Sequence, residues 1–246
     1  MLHQLRMIQY YLPKIKEIRE TEKVYGLKAK KLINYGYGRL DTLLQNEMNS
    51  QTTNSNAKDL IIIAPSYGDD NLLEKCGIEL IDMLLKADFR VLVRPHLRTL
   101  RDSTELIDSI KKKFEKDPNF VFETGVIPFD SLNNSLCMIS DWSGISLEYA
   151  FTFERPVIFI DVPKKILNPN WSDITLEPIE TSIRDKIGHI VSPNTLEEIL
   201  ELVRILDKNT QNISQLIKEM REKTVYNIGG SAKIGAQYIR QLHDSS

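Results

Sequence analysis

Cysteine is scarce in this chain. Cys76 and Cys137 are the only two among 246 residues, they lie far apart, and no C-x-x-C spacing occurs. Neither a disulfide framework nor a zinc site is indicated, and a reducing, cytoplasmic setting is expected. Long apolar runs are missing too. The longest, Leu60–Pro65, is about a third of the roughly 20 residues that cross a bilayer, and the first residues carry no signal-peptide pattern. An excess of positive charge is also absent. Lys and Arg number 32 against 34 Asp and Glu, for a net charge of −2 and a pI near 6.1. The field that grips a polyanion is therefore lacking, which argues against nucleic acid as a partner. No repeat of about 20–50 residues, no Walker-type lysine loop and no full dinucleotide fingerprint is present, which removes solenoids, P-loop NTPases and NAD enzymes.

What remains is the composition of a globular protein, 41% hydrophobic and 27% charged. The one low-complexity stretch, Asn49–Asn56 (NSQTTNSN), reads as a linker. It sets a helical front segment, residues 1–56, apart from a longer region, residues 57–246. In that region apolar runs suited to buried parallel strands fall at 60–64, 89–94, 120–122, 136–140, 157–160 and 188–191. Helical patterns occupy 71–85, 102–114, 143–153, 196–206, 213–221 and 231–242. This alternation implies right-handed crossovers and a Rossmann-like, doubly wound parallel sheet. Six such strands predict the order 3-2-1-4-5-6, with a crevice at the carboxyl ends of the first and fourth. Loops 65–70 and 141–146 are expected to line it.

The second loop, in SDWSGISLEYA at 140–150, runs into a helix. Its N-terminal N–H groups suit phosphate, and Gly144 lets a ligand approach. Ser143 and Ser146 can add hydroxyl contacts, and Glu148 can accept from a ribose. Asp141 and Ser143 are equally residue types that merely cap helices. Location at the switch point favours the binding role. In the first loop, Ser66 and Tyr67 are candidates for ribose and base. His96 ends the second strand among Arg94, Arg98 and Arg101, a setting for an anion and for proton transfer. Arg155 is a secondary phosphate candidate. Adjacent Asp69 and Asp70 read as a solvated turn, so no metal site is expected. In the front segment, Leu5, Ile8, Leu12, Ile15 and Ile18 follow a helical spacing, with acidic Glu17, Glu20 and Glu22 diluting the basic residues. This predicts a helix packed on another domain more than on a membrane.

Several of these segments, in order, resemble the C-terminal domain of the CDP-glycerol glycerophosphotransferase family, the teichoic-acid and capsule polymerases. GYGRLD at 36–41 is similar to its Gly-Tyr-Pro-Arg-x-Asp segment, IIIAPSYG at 61–68 to its strand ending in Ala-Pro-Thr, and RPH at 94–96 to the region of its His-Pro element. SDWSGISLEYAFTFERPVIFID at 140–161 resembles its Asp-Tyr-Ser-Ser segment with the Arg-Pro that follows, and NIGGSAKIGAQYI at 227–239 its closing helix. Leu97, Gly144 and Gly38 depart from that pattern. The resemblance implies a GT-B architecture, of which this chain supplies the nucleotide-binding half, the N-terminal domain being missing. It implies no protein-bound metal, a donor such as CDP-glycerol or a CMP- or UDP-linked sugar, and a polymer acceptor. The setting would be the inner face of the cell membrane, by peripheral association. It assigns His96, Ser143, Ser146 and Arg155 to the donor phosphates and Glu148 to the ribose. The acceptor's base would lie in the missing domain, with His96 the one candidate here. The alternatives are a GT-B nucleotide-sugar epimerase, distinguished by UDP preference and an acidic pair, and a non-catalytic Rossmann-like interaction domain.

Overall fold

The computed structural model describes residues 5–8, 12–50, 59–164, 166, 170–208 and 210–244. Its elements begin with β1 (Leu5–Ile8), α1 (Leu12–Val24), β2 (Lys31–Asn34) and α2 (Gly38–Asn49). There follow β3 (Leu60–Ile63), α3 (Leu72–Lys86), β4 (Arg90–Val93), α4 (Leu97–Asp102), α5 (Thr104–Phe114) and β5 (Phe120–Phe122). Next come α6 (Phe129–Asn133), β6 (Ser135–Ser140), α7 (Ile145–Phe153), β7 (Val157–Ile160), α8 (Ile179–Ser182) and α9 (Arg184–Ile187). The chain continues with β8 (Gly188–Val191), α10 (Glu198–Lys208), α11 (Thr210–Thr224) and α12 (Ser231–Asp244).

Contacts group the chain into two compact units. The first is built from residues 1–51, 166–183 and 218–246, the second from 52–165 and 184–217. The sequence suggests one cut after residue 56, whereas the first unit also gathers later segments, among them α12, which packs on α2. From Gln51 onward the expected linker lies outside the described residues.

In the second unit six parallel strands run in the order β5-β4-β3-β6-β7-β8, the expected 3-2-1-4-5-6 counted from β3. The two central strands are buried throughout. Leu136 is an extra residue against β3, where the register shifts between Leu60 and Ile61. Helix α3 shows why these elements form where they do. Asn71 caps it by accepting from the N–H groups of Leu73 and Glu74 at 2.8 and 3.4 Å. Its Leu72, Leu73, Leu80, Ile81 and Leu84 are at most 1% exposed, each such burial being worth roughly 1.5–3 kcal/mol. Asp88 then turns left-handed (φ 63°), and the Asp88 and Phe89 N–H groups bond to Leu85 and Leu84 in a Schellman closure.

Two expectations are corrected. The helix read across 102–114 starts at Thr104 as α5, and a short helix absent from that reading, α4, precedes it, the two parted at Ser103 (φ −126°, ψ 50°). The front helix begins at Leu12, and Leu5–Ile8 instead pairs in parallel with Lys31–Asn34. Pro13 explains the difference. In the interior of a longer helix its ring would strike the carbonyl four residues earlier, whereas in a first turn it is tolerated.

The first unit is tied by carboxylates. Asp41, in the first turn of α2, accepts from the backbone N–H groups of Gly229 (2.7 Å) and Ser231 (3.0 Å) and from the Ser231 hydroxyl. Glu20 accepts from Thr175 through both backbone and hydroxyl. Those bonds hold the Glu20 carboxyl below its usual range, the Thr175 hydroxyl most of all.

Candidate functional site

At the carboxyl edge of the sheet in the second unit, the loops after β3 and β6 are joined by one side chain. Asp141, 1% exposed, accepts from the Ser66 N–H at 2.6 Å and from the Leu72 N–H at 3.0 Å. It does not cap α7, as one sequence reading had it. The carboxylate instead faces the start of α3, whose unpaired N–H groups and positive dipole end attract it. Ser140 adds a second tie, its hydroxyl donating to the Ala64 carbonyl at 2.7 Å.

Gly144 occupies the N-cap position of α7, and no side-chain cap bond is made there. The first N–H groups of a helix have no acceptor within it. Ser146 is 3% exposed, and its hydroxyl donates to the Ser143 carbonyl at 2.7 Å, so it shapes the turn and its proton is already engaged. Ser143 and Glu148 are half-buried and Gly144 is exposed. A Cβ built on Gly144 meets nothing within 4 Å. Gly144→Ser is therefore expected to leave urea-unfolding stability within about 0.5 kcal/mol of the parent; a loss above about 1 kcal/mol would show that the space is not open.

Beyond Ser66, the Tyr67 ring lies 4.6 Å from that of His96, centroid to centroid, and the Arg98 guanidinium lies 4.3 Å over Tyr67. His96 Nδ1 accepts from the Arg98 N–H at 3.1 Å, capping the short α4. In the neutral imidazole the ring proton is thereby assigned to Nε2, which becomes a donor. The neighbouring arginines have separate work. Arg94 donates to the Gly125 carbonyl, and Arg101 holds Asp102, whose carboxyl is kept below its usual range chiefly by that bond.

Arg155 lies elsewhere. Its Nη1 donates to the carbonyls of Leu132 (3.3 Å), Asn133 and Ser135 (2.8 Å), at the amino-terminal end of β6, the opposite edge from Asp141. Nη1 is engaged in closing the α6–β6 turn, and the phosphate role read from sequence does not suit this position. Asp69 and Asp70 are exposed, Asp70 pairing with Lys75. A cavity of about 640 Å³ opens beside the α4–α5 junction and is lined by Asp69, Glu74, Asp102 and Glu105; four carboxylates make it unsuited to phosphate. Among the described residues, no group of three His, Cys, Asp or Glu side chains is placed to hold a metal ion. Both thiols are buried and pushed up to about 12, in each case mainly by burial, so neither is a nucleophile at neutral pH.

Three residues escaped the sequence reading. Trp142, between Asp141 and Ser143, donates from Nε1 to the Val162 carbonyl at 2.9 Å. The Arg184 guanidinium stacks 3.9 Å from its ring centroid and pairs with Asp161 at 3.2 Å. Trp142 stood in view as the aromatic of an otherwise polar loop, whereas Arg184 and Asp161 carry no local signal and meet only through the fold.

A six-stranded parallel sheet in this order, with polar loops gathered at its carboxyl edge, defines a Rossmann-like α/β domain of the kind that forms half of a GT-B structure. Residues 3–229 match the sequence profile of one family. The chain belongs to the CDP-Glycerol:Poly(glycerophosphate) glycerophosphotransferase family. Among solved structures it is similar to UDP-GlcNAc 2-epimerase of Methanocaldococcus jannaschii in complex with UDP-GlcNAc and UDP, at 16% identity over 92% of this chain and 58% of that one, TM-score 0.56. It is also similar to the wall teichoic acid polymerase TagF, at 18% identity over 87% and 53%, TM-score 0.51. A third is UDP-GlcNAc 2-epimerase of Neisseria meningitidis bound to UDP-GlcNAc, at 13% identity over 92% and 59%, TM-score 0.55. At these identities the likeness is one of fold, and this chain spans less than two thirds of each of those proteins. A search of curated protein sequences found no match. No helix among the described residues is long and apolar enough to cross a membrane.

Proposed function

We propose that the second unit binds the nucleotide-activated donor, CDP-glycerol, of a glycerophosphate transfer that extends a cell-wall or capsular polymer. One observation carries this reading. Two contacts, Asp141 to the Ser66 N–H and the Tyr67 ring to the His96 ring, link the Ser143–Gly144 turn, two residues along the chain from Asp141, to His96 across the switch point of the sheet. The N-terminal N–H groups of α7 and the Ser143 hydroxyl receive phosphate oxygens, and His96 donates from Nε2. Tyr67 and Ser66 offer a face and a hydroxyl to base or ribose, with Glu148 a further ribose acceptor.

In the transfer, an acceptor hydroxyl oxygen attacks the phosphorus that bears glycerol. The bond from that phosphorus to the bridging oxygen breaks, and CMP leaves with the electron pair. Negative charge grows on the departing phosphate, where preorganised donors lower the barrier. The acceptor's base lies on this reading in a second domain, so the 246-residue chain is expected to bind nucleotide and turn over little.

Calorimetric titration with CDP, CMP and UDP tests the reading. The parent is expected to bind CDP more tightly than UDP, and His96→Ala/Ser143→Ala is expected to weaken CDP by about 10–100-fold, as loss of two hydrogen bonds worth about 0.5–1.5 kcal/mol each implies. Failure to bind at millimolar CDP, or binding that the double variant leaves unchanged, would sink it. A preference for UDP would instead favour the epimerase alternative, to which the solved structures lend only their fold.

A further inference from the structure

We infer that Arg184, stacked on Trp142, is a positioning residue for the phosphate-binding turn at the start of α7, an assignment that rests on the donor reading above. Arg184 comes from the short α9, yet its guanidinium lies past the carboxyl end of β7. There it bonds Asp161 at 3.2 Å and the Ile160 carbonyl at 3.4 Å, and faces the indole of Trp142. Only 3% of the residue is exposed, and its Nε has no hydrogen-bond partner among the described residues. The carboxylate it pairs with, Asp161, is itself 57% exposed, so water weakens the pair. Burial pushes the arginine's pKa down from its ordinary value while Asp161 and Asp141 pull it back, and a guanidinium remains protonated throughout the physiological range.

A buried cation held in this way is costly, and an apolar side chain of similar volume would fill the space with less penalty. What the cation does is fix Trp142. The indole is held in its plane by the bond to Val162 and on its face by Arg184, leaving one orientation for the residue directly between Asp141 and Ser143. The peptide planes of residues 142–144, and with them the N–H groups offered to phosphate, follow from that orientation. Lys164, 5.8 Å from the same ring, brings a second cation to this side of the turn. Arg184 and Lys164, offset in part by Asp161 and Asp141, thus place positive charge behind a turn that receives anions, which favours ligands in proportion to their phosphates.

Cytidine, CMP and CDP titrated against the parent, Arg184→Met, Arg184→Lys and Trp142→Phe separate this role from a merely structural one. All are made in a Trp171→Phe background, which leaves residue 142 as the only possible tryptophan. In Arg184→Met, CDP affinity is expected to fall about tenfold, CMP about threefold and cytidine little. Arg184→Lys, which keeps the charge and loses the planar stack, should fall between parent and Met, and the Trp142 emission should shift in both. Trp142→Phe, which loses the bond to Val162, should weaken CDP more than cytidine. Equal loss for all three ligands, together with a lower urea midpoint, would leave Arg184 a structural residue and overturn the assignment. Should Arg184→Met fail to fold, the Lys and Phe variants decide by the same graded loss. CDP binding unchanged in the Arg184 variants removes this assignment alone; absence of CDP binding in the parent removes the donor reading and this assignment together.

Discussion

Replacing Asp141 with alanine is expected to cost the second unit about 3–5 kcal/mol of folding free energy. The carboxylate is almost wholly enclosed and serves two backbone N–H groups, on Ser66 and Leu72. Alanine leaves both donors without an acceptor in a buried place, at about 1–3 kcal/mol each. It also removes the negative charge that complements the N-terminus of α3. The apparent Tm should drop by about 10 °C, given roughly 2–4 °C per kcal/mol for a chain of this size. Asp141→Asn keeps a carbonyl oxygen for one donor and turns an NH2 toward the other, so about half the loss is expected. Urea unfolding followed by circular dichroism measures both. A cost below about 1 kcal/mol for alanine, or equal costs for the two variants, would mean that water takes over both N–H groups and that the joint between the loops is dispensable.

Gly36→Ala should strike the other unit about as hard, at roughly 3 kcal/mol. Gly36 has φ +105°, a conformation that L residues rarely adopt. A Cβ there would stand 2.7 Å from the Tyr226 carbonyl oxygen and 2.8 Å from the Ser231 Cβ. Backbone strain of about 1–3 kcal/mol and overpacking of about 1–3 kcal/mol therefore act together. Gly38, two residues on, is the control. Its nearest atoms would be 3.6 and 3.7 Å away, ordinary contact, and Gly38→Ala should be nearly neutral. Hydrogen exchange read by mass spectrometry should show Gly36→Ala loosening β2, α2 and α12 and sparing the six-stranded sheet. Equal protection in Gly36→Ala and Gly38→Ala would falsify the close approach.

The sheet was legible because its strands advertise themselves. LIII, VIFI and LCMI are apolar runs too short to be helices, bounded by turn residues, and buried on both faces as parallel strands must be. Their order followed from the count and the alternation. β1 was not legible, since LRMI suits a helix as well as a strand and its partner, KLIN, lies a whole helix away. Within the site, the loops at 65–70 and 141–146 were anticipated by topology, and His96 by its place after β4. The partners were not. Whether a buried aspartate caps its own helix or a distant one depends on a contact 69–75 residues off in sequence, and nothing within three or four residues of Asp141 distinguishes the two. Arg155 misled for the same reason. An Arg-Pro before a strand says nothing about which end of the sheet the guanidinium reaches, and three carbonyls of the α6–β6 turn settle it.

The Asp41 clasp bears on how the protein is made. Its two ends are 190 residues apart, and a ribosome adding about 5–20 residues per second needs roughly 10–40 s to deliver the second after the first. During that interval β3–β8 can emerge and assemble in sequence while α2, already out of the tunnel, waits without the helix it packs on. Biogenesis is therefore expected to be staggered, the interrupted unit maturing last although its first segments are translated first. A pause or nick late in the message would leave a finished sheet beside an unsatisfied aspartate, a species for quality control to recognise.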